Sequence, residues 1–501
     1  MIPSCSQKLK SSSVANYPVS KHRSLSLRAR MTNRLPDWSA PYCELPEDIF
    51  YKKVSPSPLI NPRWVDINHE LAIEVHSPID STDQKILRSF SGSEPLPEWS
   101  PVAQVYSGHQ FGQWAGQLGD GRGAYLGVSG GYEWHLKGGG QTPYSRSGDG
   151  RSVLRSAIRE YLGSEYIHAL GIPTTRALAL VTSDTPVQRE TMERGATLMR
   201  LAKSHLRIGH FEHFYHRNDH EHLRGMIEFA INQLDPDLVE LPDRVEQAFQ
   251  RYIERSAQLM GHWMAVGFVH GVMNTDNTAL SGETLDYGPY GFLTSYRDDY
   301  VINHTDHTGR YAYGQQPRVM HWNMSCLAET LTPFVRIDTL RVLLDRFPGL
   351  YQTAYRTQMA NRLALESDND TLPDMIKAVT NVCETPGVYY PEIFSYLLRE
   401  NWMGLSQPLR GLEAFAQLKS QWSSQVSKNL VPDARAASPS WMLSYWLLDR
   451  VIRAAEGGDF TPVSSLRESL NRGISEECQS AKDLGGSPTP DDSAYHLSCS
   501  S

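Results

Sequence analysis

One run of eight residues, His270-Gly271-Val272-Met273-Asn274-Thr275-Asp276-Asn277, followed by Asp286-Tyr287-Gly288, concentrates the polar groups of this chain that suit catalysis. Asn277 and Asp286 offer the hard oxygen donors that magnesium takes beside phosphates. Asp276, next to that asparagine, is a carboxylate placed to take a proton. Upstream, Gly119-Asp120-Gly121-Arg122-Gly123 would let the backbone approach a polyphosphate and cradle its oxygens, with Arg122 adding a permanent forked charge. A Gly-rich hairpin turn reads the same way. Lys137 ends a short apolar stretch, where a nucleotide-binding lysine would follow a glycine loop; a solvated lysine is the alternative. Glu160 lies one turn beyond Ala157 and two beyond Val153, on the face expected to be buried, so it needs a partner, and Lys137 is the natural one. Arg200 and Arg207 are guanidinium groups able to clamp phosphates bidentately, or to form ordinary surface salt bridges.

The spacing is informative beyond the residue types. Kinase-like phosphotransferases use H-x-D-x-x-x-x-N and then an Asp-Phe-Gly-like triad, in which the Asn and the second Asp hold the metal and the first Asp is the base. The interval from His270 to Asn277 and the downstream Asp286-Tyr287-Gly288 match that pattern, which a polar turn after a core helix would not explain. The usual base position is Val272, which cannot accept a proton, and Asp276 is the nearest substitute. A histidine run, His205, His210, His213, His216, His220 and His222, raises zinc, but no cysteine and no H-E-x-x-H pattern accompanies it. Lobe-interface and solvated positions are the expected places for these rings.

Several elements must position these groups. Ala124, Leu126 and Val128 alternate, as do Trp134 and Leu136 after a Gly-Gly turn, which predicts two strands. Asp149 precedes a helix on which Val153, Leu154, Ala157, Ile158, Tyr161 and Leu162 recur at helical spacing. Thr174–Ser183 and Ala196–Ala202 are further strand candidates. From about residue 223 helices dominate, and Val245–Phe268 places Phe249, Ile253, Ala257, Met260 and Met264 on one stripe leading into the densest motif. The expected fold class is α+β: a protein-kinase-like bilobal fold with a β-rich N-lobe and a mainly helical C-lobe. The expected division is a disordered extension over 1–36, an N-lobe over 37–210 in which residues 37–100 wrap the lobe, a C-lobe over 211–455, and a flexible Gly/Ser/Pro-rich tail over 456–501 ending Cys-Ser-Ser.

Composition excludes other classes. The 501 residues are 40% apolar and 21% charged with net charge −8, which argues against a nucleic-acid coat or a polybasic membrane module. No apolar run approaches the roughly 20 residues of a membrane span. The six cysteines are scattered without a CxxC pair, so neither a zinc knuckle nor a disulfide framework is indicated, and a reducing, cytoplasmic setting is the simplest reading. Residues 1–30 carry basic residues, abundant serine and no acid, a composition shared by a mitochondrial or other organelle transit peptide, a disordered extension, and a chain whose start is Met31.

The segments YSGHQFGQWAGQLGDGRG (106–123), HLKGGGQTPYSRSGDGRSVLRS (135–156), SHLRIGHFEHF (204–214), HGVMNTDN (270–277), DYGPYGF (286–292) and NHTDHTGRYAYGQQP (303–317) closely resemble the selenoprotein O (YdiU) family of kinase-like proteins that AMPylate other proteins. The resemblance implies an ATP inverted relative to ordinary kinases, so that AMP is transferred and pyrophosphate leaves. It implies ATP binding by Gly119, Gly121, Arg122, Lys137, Asp149, Gly150, Arg200, Arg207 and Asp286. It further implies Asp276 as proton acceptor, Asn277 and Asp286 as ligands of Mg²⁺ or Mn²⁺, and Glu160 paired with Lys137. Without it, Asp149 and Gly150 read only as a helix cap. Cys499 stands where some relatives carry selenocysteine, which predicts a weaker redox role. The expected partners are ATP, or UTP as donor of UMP, and protein Ser, Thr or Tyr hydroxyls, with no nucleic acid and no membrane. The rival readings are a conventional kinase, opposed by Val272, and an ATP-binding pseudokinase scaffold, opposed by the complete set Lys137, Asp276, Asn277 and Asp286.

Overall fold

The computed structural model describes residues 37–399, 407–439, 441–475 and 478–485. The expected extension over 1–36 and the Cys499 ending lie outside these residues. Residues 37–100 do more than wrap a lobe: they supply β1 (Tyr51–Lys53), β2 (Arg63–Ile67) and the short helices α1 (His69–Glu74) and α2 (Gln84–Phe90). β1 and β2 are the two edges of an antiparallel sheet whose remaining strands come later in the chain. After β3 (Val102–Gln104) comes a separate hairpin, β4 (Ser107–Gln110) and β5 (Gln113–Gln117). The expected strand pair follows as β6 (Gly123–Ser129) and β7 (Tyr132–Lys137), then β8 (Ser152–Val153). The candidates at Thr174–Ser183 and Ala196–Ala202 are longer than their apolar cores, forming β9 (Arg176–Gln188) and β10 (Met192–Ala202). Sheet order is β1-β3-β6-β7-β10-β9-β2, with β8 paired to β10.

Helix α3 (Leu154–Ala169) packs on β9 and β10, burying Leu154, Ala157, Ile158, Tyr161 and Leu162 as the helical spacing requires. It begins after Val153, so Asp149 does not cap it. Beyond the sheet come α4 (Ile208–Tyr215), α5 (His220–Leu234) and α6 (Arg244–Val266). The stripe Phe249, Ile253, Ala257, Met260 and Met264 of α6 is buried, and the helix delivers the chain into β11 (Phe268–Val269), which pairs with β12 (Gly291–Phe292). The motif residues 270–288 hang between these two strands. The remaining helices are α7 (Gln316–Leu331), α8 (Ile337–Leu344), α9 (Phe347–Leu363), α10 (Leu372–Cys383), α11 (Tyr390–Arg399), α12 (Glu413–Gln425), α13 (Val431–Ala436) and α14 (Tyr445–Glu456). No helix among the described residues is long and apolar enough to cross a membrane.

Two expectations change. The boundary placed at 210/211 falls inside α4, whose start is fixed upstream because the Arg207 N–H donates to His210 Nδ1 at 3.0 Å. The segment from 456 is not a flexible tail over its described part: α15 (Thr461–Arg472) buries Val463, Leu466 and Leu470 and α16 (Gln479–Gly485) buries Ala481 in the main core, which Ile474 and Cys478, between the two helices in sequence, also join. The Gly/Ser/Pro average conceals an apolar stripe at i, i+3 and i+7. Arg467, almost fully buried, ties α15 to the sheet edge, with Nε 2.8 Å from Asp66 Oδ2 and Nη1 3.1 Å from Glu70 Oε2.

Candidate active site

A cleft of about 570 Å³ lies between the β6–β7 end of the sheet and the 270–288 loop, within the usual size range of ligand sites. Gly119, Gly121, Arg122, Lys137, Asp149, Gly150, Arg200, Arg207, Asp276, Asn277 and Asp286 all line it. Glu160 stands directly behind Lys137.

The glycine loop, between β5 and β6, is held by backbone geometry. Gly119 has φ of 103°, and a Cβ there would enter the Tyr144 ring. Thr142 Oγ1 donates to the Asp120 carbonyl at 2.6 Å and Ser145 Oγ to the Gly121 carbonyl at 2.5 Å, so residues 142–145 brace the loop from outside. Asp120 itself faces inward, accepting from the Gln104 N–H at 3.0 Å, with His135 Nε2 at 3.6 Å. Burial raises the Asp120 carboxyl, but His135, Arg207 and the Gln104 N–H outweigh it and hold the group at about 2. The His135 ring packs against Gly123, where any Cβ would overlap it. Burial and Arg200 drive this imidazole down to about 3, so it is neutral.

Beneath the loop is a charge cluster. Lys137 Nζ stands 2.5 Å from Glu160 Oε2 and 3.1 Å from Asp286 Oδ1. Arg200 Nη1 reaches the same two carboxylates, at 3.3 Å from Glu160 Oε1 and 2.5 Å from Asp286 Oδ1. Arg207 Nη1 donates to Asp286 Oδ2 and to the Asp276 carbonyl, both at 2.9 Å, while its guanidinium carbon lies 4.7 Å over the Tyr106 ring. Around this cluster Arg122, Lys137, Arg146, Arg151, Arg189, Arg200 and Arg207 line the cleft against Asp120, Asp149, Asp276 and Asp286, with Glu160 behind, which leaves a surplus of basic groups. Burial would raise the Asp286 carboxyl, yet Lys137, Arg200 and Arg207 hold it well below the usual carboxylate range. Its backbone φ of 63° is unusual for a residue with a side chain, and such strain gathers at functional sites.

Asp276 differs from Asp286 in every respect. It is 8% exposed; Oδ2 accepts from Gln110 Nε2 at 3.2 Å, and Oδ1 has no hydrogen-bond partner among the described residues. Burial pushes its carboxyl up to about 7, against the opposing pull of Arg207 and Gln110. A carboxylate with a free oxygen and a raised proton affinity is suited to general-base work. Asn277 Nδ2 donates to the Val272 carbonyl at 3.1 Å, which leaves its Oδ1 as the remaining donor. Asn277 Oδ1 and the Asp286 carboxylate are all-oxygen donors of the kind a magnesium-type ion takes. With three cations already beside Asp286, such an ion fits only together with a polyphosphate.

Some placements differ from the reading of single residues. His270 is not in the cleft: Nε2 pairs with the Leu285 carbonyl at 2.9 Å and its ring stacks on Trp263, which ties the two halves of the motif together next to Asp286. Asp149 sits at the rim, 43% exposed, with Oδ2 at 2.7 Å from Arg189 Nη1. Of the histidine run, His205, His210 and His213 are buried and His216 and His220 exposed; His205 Nδ1 is 3.0 Å from Glu133 Oε2 and its ring stacks on His135. Residues that sequence reasoning did not single out include Tyr106, Gln110, His135 and Tyr144. They lie within the same Gly-rich segments, but only the β4–β5 hairpin and the β6–β7 pairing bring them to the site. That hairpin clasps the motif loop: the His109 N–H donates to Thr275 Oγ1 at 2.7 Å and the Phe111 N–H to Asn274 Oδ1 at 3.2 Å.

The model of a family described as protein adenylyltransferase SelO matches residues 38–469. The chain is 43% identical over 467 residues to protein nucleotidyltransferase YdiU of Salmonella agona (strain SL483), covering 90% of this chain and 97% of that protein. It is 44% identical over 438 residues to the protein of the same name from Salmonella arizonae, covering 84% of this chain and 91% of that protein.

Proposed function

The chain belongs to the protein adenylyltransferase SelO family, and from that premise we propose that it transfers AMP from ATP to Ser, Thr or Tyr hydroxyls of other proteins, releasing pyrophosphate. The carrying observation is the pairing, in one cleft lined by an excess of basic groups, of the cations Lys137, Arg200 and Arg207 with a base of raised proton affinity at Asp276. In this reading Lys137, Arg200 and Arg207 grip the polyphosphate while the glycine loop and Arg122 lie along it with Asp149 and Gly150 at its rim. Glu160 keeps Lys137 extended into the cleft. Asp276 Oδ1 takes the proton as the acceptor hydroxyl oxygen bonds to the α-phosphorus and the bond to pyrophosphate breaks. Asn277 and Asp286 would hold Mg²⁺ or Mn²⁺, whose chemistry there is neutralisation of phosphate charge. Positioning and electrostatics carry such a reaction. UTP as a donor of UMP is an extension of the same chemistry.

We also propose a kinase-like, two-lobe division, with a sheet-rich N-lobe that ends with β10 and a helical C-lobe that starts with α4. Its junction falls in the segment 203–207 that leaves β10 and carries Arg207. The antiparallel sheet ending in Lys137, the partner glutamate on α3 and the motif loop after α6 support it.

The test uses the full chain with metal, a generic protein acceptor and ATP labelled at the α- or the γ-phosphorus, with Asp276→Ala alongside. Label arriving only from the α position, and lost in the variant, is the expected result. Label from the γ position would make the chain a kinase with a displaced base, and full activity of Asp276→Ala would remove the base assignment.

A further inference from the structure

None of the rings of the histidine run joins a three-ligand cluster among the described residues, but Glu212, which lies within that run, meets a histidine and a cysteine from elsewhere in the chain. His109 on β4, Glu212 on α4 and Cys326 on α7 bring one ligand atom each to within 4.8 Å of one another. Zinc bonds of about 2.0–2.3 Å in a tetrahedron set neighbouring ligand atoms roughly 3.3–3.8 Å apart, so side-chain adjustments of about an ångström close the site. Glu212 is completely buried and its Oε1 is 2.5 Å from His109 Nδ1. The His109 ring is walled by Trp114 and Trp322, at centroid distances of 5.1 and 5.4 Å, and its side chain keeps 15% exposure, which leaves a way in.

We propose that His109, Glu212 and Cys326 form a zinc site distinct from the all-oxygen pair Asn277 and Asp286, with its fourth position open to water. The donor set of imidazole, carboxylate and thiolate selects a borderline ion such as Zn²⁺ over Mg²⁺ or Mn²⁺. Charge favours it too. On binding, the Cys326 thiol releases its proton to solvent, and Zn²⁺ with one thiolate, one carboxylate and a neutral imidazole is a neutral unit. Without a metal, burial and the neighbouring Glu212 and Glu329 carboxylates keep the thiol protonated despite Arg310.

The site is wired to the cleft. Glu212 Oε2 accepts from Thr275 Oγ1 at 2.5 Å, and that hydroxyl accepts from the His109 N–H. A metal that recruits Glu212 and His109 competes with this support of the residue next to Asp276, so zinc occupancy lowers nucleotidyl transfer. This last link rests on Asp276 acting as the base.

Metal-stripped full chain is titrated with Zn²⁺ alone against a chromophoric chelator, and separately with Co²⁺, whose bond to a thiolate gives a near-ultraviolet charge-transfer band. One equivalent should bind, with the band present. Cys326→Ser should lose the band, and both it and His109→Gln should weaken Zn²⁺ at least ~10-fold, while Cys383→Ser binds like the parent and thermal melts confirm that each variant is folded. Absence of binding, or a band that survives in Cys326→Ser, overturns the site. Transfer by the parent, and not by Cys326→Ser, should fall on adding Zn²⁺. Binding without that fall overturns the link to Thr275 alone, and because binding is read without transfer, failure of the proposed activity is seen separately.

Discussion

At the scale of single residues, two aspartates ten positions apart have opposite properties because their surroundings differ. Asp286 is ringed by Lys137, Arg200 and Arg207 and stays ionised; Asp276 has a neutral partner, Gln110, and one bare oxygen. Replacing Asp276 by Asn keeps the shape and removes the proton acceptor. The expected outcome is a fall in kcat of about 10²–10⁴-fold with the ATP dissociation constant changed little, read by α-label transfer and by calorimetry. The types and spacing of Asn277, Asp276 and Asp286 were legible in the chain because they sit in one short motif. Gln110 was not, because it lies 166 positions from Asp276 and only a hairpin closing over the loop brings them together. Likewise the thiol of Cys326 gave no sign of His109 and Glu212, which come from different elements.

At the scale of elements, β6 and β7 set the glycine loop through one close approach, the His135 ring against Gly123. Gly123→Ala should therefore push the loop outward and weaken ATP binding, measured by calorimetry. Adding His135→Ala should recover part of that loss, a non-additivity that identifies the contact. The strands and α3 were readable from alternation and helical spacing, since each buries one face. Helix α15 was not, because its apolar stripe is diluted by flanking Gly, Ser and Pro. Its anchor, Arg467, is 3% exposed and paired with Asp66 at 7%. Arg467→Ala leaves a buried carboxylate unpaired and should cost about 3–5 kcal/mol, measured by urea unfolding.

At the scale of the whole molecule, buried imidazoles decide how the fold responds to acid. Burial lowers His135 to about 3 and His262 to about 4, against 6.5 for a free histidine. At these two groups the unfolded chain therefore binds more protons than the folded one below pH 6.5. Stability from these groups is complete above pH 6.5 and is lost as pH falls toward 4 and 3, each contributing a slope of up to about 1.4 kcal/mol per pH unit. Melting temperatures should drop across pH 6.5–4, and His135→Gln should flatten that drop. The division into a sheet-rich first part and a helical second part was legible from where strand alternation gives way to helical spacing. The point where sheet gives way to helix was not, because α4 already begins at Ile208, well before helical spacing becomes continuous from about residue 223.

The clasp between Arg467 and Asp66 has a consequence in time. Its partners are 401 positions apart, and a ribosome adding about 5–20 residues per second needs roughly 20–80 s to deliver the second after the first. During that interval the edge strand β2 carries a carboxylate that cannot yet be buried with its counter-ion, so the sheet is finished only when the last helices have been made. The nascent chain must then be shielded from aggregation, and a product that stops short of residue 467 is a client for chaperones and proteases rather than a smaller enzyme.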